Sequence, residues 1–153
     1  MTDTTATAEA IKWIREAYLP KEFGQSFRPK KLLLQSRGNA TFEAVSDDEE
    51  IVTMISTSSG LQANGKVDAE ALMKVRSDAL KILWLEHTPA KRFIVLTNPS
   101  MGRVIREEIK KGRFPKEMEL LKVKLPAAIE AKLEESRKNR IQEASSPGDT
   151  ESA

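Results

Sequence analysis

Apolar positions in the middle of the chain follow first a period of two residues and then a helical period. Two short apolar runs, at residues 42–46 and 51–58, flank the four acidic residues 47–50, a spacing that predicts a β-hairpin. Residues 68–86 then repeat apolar side chains with the period of an amphipathic helix. The apolar run at 92–97 follows and predicts a buried strand. This part of the chain is therefore expected to fold as β-β-α-β.

Weaker patterns on both sides of this segment predict the remaining elements. A helical period begins at Ala8 and is expected to end before Pro20, because proline interrupts a helix interior. The other predicted elements are a strand at 31–35, a helix at 101–111, a strand at 119–125 and a helix at 127–143. The order up to residue 97 is therefore α-β-β-β-α-β, and a helix, a strand and a helix are added at the C-terminus.

These elements predict an α/β fold in which helices flank a mixed sheet. A chain of 153 residues is long enough to bury one core of ordinary size. The expected organisation is a disordered N-terminus at 1–7, a single α/β domain at 8–126, a C-terminal helix at 127–143 and a flexible tail at 144–153.

Composition narrows the function classes further. Cysteine is absent, which excludes disulfides, thiolate metal sites and cysteine nucleophiles. No apolar run approaches the roughly 20 residues of a membrane-spanning helix, and the polar N-terminus lacks the pattern of a signal peptide. We therefore expect a cytoplasmic protein without a membrane partner.

The predicted order α-β-β-β-α-β resembles the core of the PD-(D/E)XK, or restriction-endonuclease-like, superfamily. In that family an acid ends the second core strand and a (D/E)-x-K motif lies on the third. The resemblance matches the second-strand acid to Glu43 and the third-strand motif to residues 56–58, where Ser56 and Ser58 replace the carboxylate and the lysine. Glu16 matches a glutamate that the family often supplies from the first helix. An active site of this type would hold Mg²⁺ on carboxylate oxygens.

The helix predicted at 68–86 offers two cations for such a site. A helical projection places Arg76 about 40° from Leu72, inside the apolar arc, and Lys74 about 200° away, on the expected solvent face. Arg76 is therefore the expected candidate. It either forms a structural ion pair or provides the cation beside Glu43.

A basic stretch follows the last core strand. Residues 89–124 contain ten basic and four acidic residues, while the whole chain has a net charge of +2. Four cations recur in this stretch at spacings of three, four and three residues, which places them on one face of the helix predicted at 101–111 and just beyond it: Arg103, Arg106, Lys110 and Arg113. Such a stripe either follows a phosphate backbone or is an ordinary solvated helix face.

Two hypotheses from different classes remain open. The first is a non-catalytic, nuclease-like module that binds DNA or another protein and needs no cofactor. The second is a Mg²⁺-dependent DNA endonuclease with a rearranged site that uses Glu16, Glu43 and Arg76. A convergence of Glu16, Glu43 and a third acid beside a cation would favour the second. The sequence allows a homodimer but does not predict one.

Overall fold

Five strands form one mixed sheet, and their order across the sheet is the same as their order along the chain. The computed structural model describes residues 4–144. Strands β1–β2 and β2–β3 are antiparallel, whereas β3–β4 and β4–β5 are parallel. The strands are β1 (Phe27–Leu33), β2 (Asn39–Ser46), β3 (Ile51–Ser56), β4 (Lys91–Leu96) and β5 (Glu119–Lys122).

Helices cover both faces of this sheet, which confirms the predicted α/β class. Helices α3 and α4 connect the parallel strands and pack on one face, and α1, α2 and α5 contribute to the core on the other. Both faces of β3 are consequently covered and all six of its residues are buried, as is usual for a parallel strand between two helical layers. The helices are α1 (Thr4–Trp13), α2 (Leu19–Phe23), α3 (Ala69–Leu83), α4 (Pro99–Lys110) and α5 (Ala127–Ala144).

The N-terminal helix is longer than the sequence pattern predicts. It begins at Thr4 instead of Ala8, so residues 4–7 of the stretch predicted to be disordered belong to α1, and Ala6 is buried. Pro20 does not end it, because a π-helical turn (Ile14–Tyr18) precedes α2 and places the proline in a first turn. A proline is tolerated there because the first amides of a helix have no intrahelical acceptor.

The opposite end of the chain matches the predicted helix. Helix α5 spans Ala127–Ala144, one residue beyond the predicted end, while residues 1–3 and 145–153 of the predicted flexible ends lie outside the described residues. Within the described part, no helix combines the length and the apolar character that a bilayer crossing requires.

Candidate active site

A β-bulge in β2 determines where Glu43 lies. In the pairing of β1 with β2, Pro29 faces two residues, Glu43 and Ala44. Proline has no N–H to donate, so this position suits it, and the extra residue bends the bulged strand. The recorded pairs between β2 and β3 begin at Ala44, which lies opposite Thr53. The two strands thus separate at Glu43.

The Glu43 side chain occupies the gap that this separation leaves. Its Oε1 accepts a hydrogen bond of 2.6 Å from the backbone N–H of the buried Ile55. Its own backbone carbonyl accepts a bond of 3.4 Å from Arg15 Nη1, in the N-terminal helix. The Glu43 carboxylate therefore takes the place of a backbone acceptor near the carboxyl end of β3, and Arg15 binds the backbone of the same residue.

Helix α3 brings a second carboxylate and a lysine to the same place. The Asp68 side chain caps this helix by accepting a 3.0 Å bond from the amide of Ala71, as expected of an aspartate before a helix. Lys74 lies about one helical turn after Ala71, and Asp78 lies one turn after Lys74. Lys74 Nζ donates to Asp78 Oδ2 at 2.8 Å. Asp78 is only 2% exposed, and its Oδ1 is buried without a protein partner. A buried carboxylate oxygen without a donor needs a partner from outside the chain, which is either a water molecule or a bound ion.

The charges of these side chains act on Glu43. Burial raises the pKa of the Glu43 carboxyl, and the negative charge of Asp78 adds to that effect. The hydrogen bond from Ile55 and the positive charges of Lys74 and Arg15 oppose the rise without cancelling it. Two carboxylates and a lysine are thus close enough to influence one another. We call Glu43, Lys74 and Asp78 the acidic site.

The donor set of the acidic site fits a hard divalent cation. Magnesium prefers oxygen ligands and is commonly bound by one or two carboxylates together with water. The unpartnered Oδ1 of Asp78 supplies such an oxygen, and Glu43 has a second one that no recorded hydrogen bond occupies. Within residues 4–144, no cluster of three or more acidic, histidine or cysteine ligands occurs. The site is therefore a two-carboxylate site.

Two hydrogen bonds hold the first residues of the loop that connects β3 to α3, one from α5 and one to α4. Arg137 of α5 donates a 2.7 Å bond to the carbonyl of Thr57. The backbone N–H of Gly60 donates to Ser100 Oγ at 2.9 Å, near the beginning of α4. Because this loop leads into α3, these contacts help to determine where Lys74 and Asp78 lie.

Three of the residues matched by the family resemblance have other roles in the structure. Ser56 is buried, and its hydroxyl accepts a weak 3.4 Å bond from the N–H of Ser58, so these serines form a local turn after β3. The Glu16 carboxylate is 3.9 Å from Arg15 and more than half exposed. The structure records no contact between Glu16 and Glu43.

Of the two roles expected for Arg76, the structure shows the ion pair and not the cation beside Glu43. The Arg76 guanidinium binds Glu108 of α4, on the flank of α3 that faces away from β2. Lys74 and Asp78 lie on the opposite flank, and Asp78 is buried although a helical projection places it, like Lys74, opposite the apolar arc. The sequence signal for this pair is its i, i+4 spacing.

The predicted basic stripe is only partly free. Arg113 Nη2 donates to Glu108 at 2.8 Å, and Lys110 lies 3.7 Å from Glu107. Arg103 and Arg106 are exposed, and within the described residues neither pairs with a carboxylate. Two of the four cations therefore remain available to an external anion.

We expect Glu43→Ala to lower the free energy of unfolding by about 1–3 kcal/mol, because the buried N–H of Ile55 loses its acceptor. Glu43→Gln keeps an acceptor oxygen and serves as the control. Since burial raises the pKa of Glu43 in the folded state, wild-type stability falls as pH rises from the ordinary glutamate pKa through the raised value. The stability of the glutamine variant relative to wild type should therefore increase over that interval. Denaturant unfolding at pH 4–8 measures both effects, and a pH-independent difference would contradict the second.

Comparison of this chain with protein-family models, with curated proteins and with solved structures finds no match, so its own geometry is the basis for a functional assignment.

Proposed function

We propose that this chain is a divalent-metal-dependent nuclease of the PD-(D/E)XK type with a rearranged active site. The observation that carries this proposal is that the paired charges of Lys74 and Asp78 on α3 act on Glu43, which lies where β2 and β3 separate. A nuclease of this type needs carboxylate ligands for a metal and a cation beside the scissile phosphate. All three groups occur together here, although two of them come from α3 and not from the third strand.

The architecture supports the same proposal. The helix, the three strands, the crossover helix and the fourth strand occur in the order of the superfamily core, in one mixed sheet. Glu43 lies on the second strand, beside the end of the third. Ser56 replaces the family's third-strand carboxylate, and we propose that Asp78 supplies that charge from the neighbouring helix.

The residues of the acidic site have two different roles, which are metal binding and contact with the phosphate. Glu43 and Asp78 would hold a Mg²⁺ ion, which when bound supplies positive charge at the phosphoryl oxygens and lowers the pKa of a bound water. Lys74, more than half exposed, can reach a phosphate from the solvent side while it remains beside Asp78. Asp78 is buried and Glu43 is half-buried, and charges interact more strongly with a cation in such surroundings than in bulk water.

Calorimetric titration of Mn²⁺ and Mg²⁺ into metal-free protein tests the proposal. We expect saturable binding in the wild type and a loss of at least about 10-fold in affinity in Asp78→Asn. Binding should also weaken as pH falls through the raised pKa of Glu43, because a proton then competes with the metal. Asp47→Asn, which changes an exposed acid in the hairpin turn, is the matched control. Absence of heat with either metal would overturn the proposal.

A non-catalytic nucleic-acid-binding module is the second candidate. The observation that favours it is the pair of hydroxyl side chains, Ser56 and Ser58, at the third-strand positions, together with the unpaired Arg103 and Arg106 on α4. On this proposal the chain binds nucleic acid without metal-dependent cleavage. Oligonucleotide binding that is unchanged by EDTA, combined with no cleavage in Mn²⁺, would favour it over the nuclease.

A further inference from the structure

A groove of about 390 Å³ lies between α3 and α4, on the flank of α3 that faces away from Glu43. Three apolar side chains line it: Val67, Leu72 and Val104. Four cations also line it: Arg76, Arg103, Lys111 and Arg113. Its size lies within the range of pockets that hold small molecules or single residues of a polymer.

A buried carboxylate organises the cations of this groove. Glu108 is 5% exposed and binds Arg76 from α3 and Arg113 from the segment after α4. The hydrogen bond from Arg113, and to a lesser extent the bond from Arg76, holds the pKa of Glu108 below its ordinary value. The carboxylate therefore stays ionised at neutral pH and orients both guanidinium groups before any ligand arrives. Such pre-organisation lowers the entropic cost of binding.

The groove retains positive charge after these internal pairs are counted. Glu108 and Glu107 are its acidic residues, against the four cations. Arg103 and Lys111 are exposed and have no carboxylate partner in the described part of the chain. Both are therefore available to an anion from solution.

Positive charge continues outside the groove along α4. A Cβ atom added at Gly102 would lie 3.6 Å from both Arg106 Nη1 and Lys122 Cε, so these two cations meet on the β5 side of the helix. Cations that recur along one surface suit a ligand with repeated negative charges better than one with a single charge. The planar guanidinium fork matches phosphate oxygens in particular.

We propose that this groove binds a single strand of nucleic acid, with one phosphate at Arg103, another at Lys111, and the sugar and base between them on the apolar floor. This inference rests on the proposed function for its substrate class. It adds a binding surface separated from the acidic site by the width of α3, about 10 Å. An acidic peptide offers similar charges without a regular phosphate spacing and is the alternative for the test to exclude.

Fluorescence anisotropy of a labelled 12-nucleotide single strand tests the groove, with wild type, Arg103→Ala/Lys111→Ala and the control Lys12→Ala/Lys21→Ala. The control removes two exposed cations of the N-terminal helix. Because each neutralised phosphate contributes about 0.7 to the salt slope for single strands, we expect the groove variant to lose roughly 1.4 from that slope and at least about 10-fold in affinity. The control should retain the wild-type salt slope to within about 0.7.

The experiments distinguish a failure of the groove proposal from a failure of the nuclease proposal. Wild-type binding by the groove variant, or no binding by wild type, overturns the groove whatever the metal titration shows. Competition by poly-glutamate equal to that of an oligonucleotide of the same charge also overturns it. If the groove variant loses binding but the wild type binds no Mn²⁺, the result supports the proposed nucleic-acid groove and contradicts the proposed nuclease activity. Thermal melting of each variant shows whether lost binding reflects lost folding.

Discussion

Lys74→Gln is expected to lower Mn²⁺-dependent cleavage of a nucleic acid substrate by roughly 100-fold, while Mn²⁺ affinity changes by less than about 10-fold. A pre-organised cation beside the scissile phosphate stabilises the charge that develops on it in the transition state, and removal of one such group typically costs about 100–1000-fold in rate. Glutamine can still donate to Asp78 Oδ2, which now accepts from Lys74 at 2.8 Å. Single-turnover cleavage measures the rate, and calorimetry measures the affinity.

Lys81→Gln provides the matched control for this prediction. Lys81 is two turns further along α3, and within residues 4–144 it has no recorded carboxylate partner. The Lys81→Gln protein should cleave at the wild-type rate. Lys74→Arg, which preserves the charge, should recover part of the cleavage rate that Lys74→Gln loses. An active Lys74→Gln protein would show that the cation at this position only neutralises Asp78.

The element order could be predicted from the sequence because it depends on local periodicity. The hairpin, the crossover helix and the following strand lie within a few residues of their expected bounds, since alternation, helical period and an Asp68 cap are all short-range signals. The buried runs of β3 and β4 add a signal that is typical of parallel strands. Fold class follows from these signals with little need for tertiary information.

The sequence does not predict in the same way which side chains of α3 form the acidic site with Glu43. A helical projection shows that Lys74 and Arg76 lie on different flanks of α3, but it does not show which flank faces β2. That assignment depends on how α3 crosses the sheet, which brings Arg76 to Glu108 and leaves Lys74 and Asp78 beside Glu43. The same projection places Asp78 opposite the apolar arc, on the expected solvent face, whereas the structure buries it. Its burial is therefore the most informative difference between the pattern and the fold.

The position of Glu43 shows the same limit within the sheet. The sequence predicts a strand at 42–46 and an acid within it, but the bulge opposite Pro29 depends on the register between β1 and β2. Without the bulge, strict alternation would place Glu43 and Val45 on one face. Val45 instead packs in the core beneath α3 and α4, together with Phe42, and the glutamate side chain enters the gap between β2 and β3.

Gly60→Ala is expected to destabilise the fold by about 1–3 kcal/mol, the usual cost of overpacking. A Cβ atom at this position would lie 2.8 Å from the Met101 Cα, 2.9 Å from the Ser100 carbonyl oxygen and 2.9 Å from Val104 Cγ2. The first two are backbone atoms of α4, so relief requires the loop after β3 to move. For a chain of this length the melting temperature should fall by roughly 3–10 °C, which differential scanning calorimetry measures.

The same substitution is also expected to weaken the acidic site, since the loop displaced from α4 leads directly into the helix that bears Lys74 and Asp78. Gly38→Ala is the control, because a Cβ there meets no atom within 4 Å and should change stability by no more than about 0.5 kcal/mol. If Gly60→Ala lowers the melting temperature but leaves Mn²⁺ affinity unchanged, the loop supports the fold without positioning the site. If both fall together while Gly38→Ala leaves both unchanged, the contact between the loop and α4 helps to hold the two carboxylates in place.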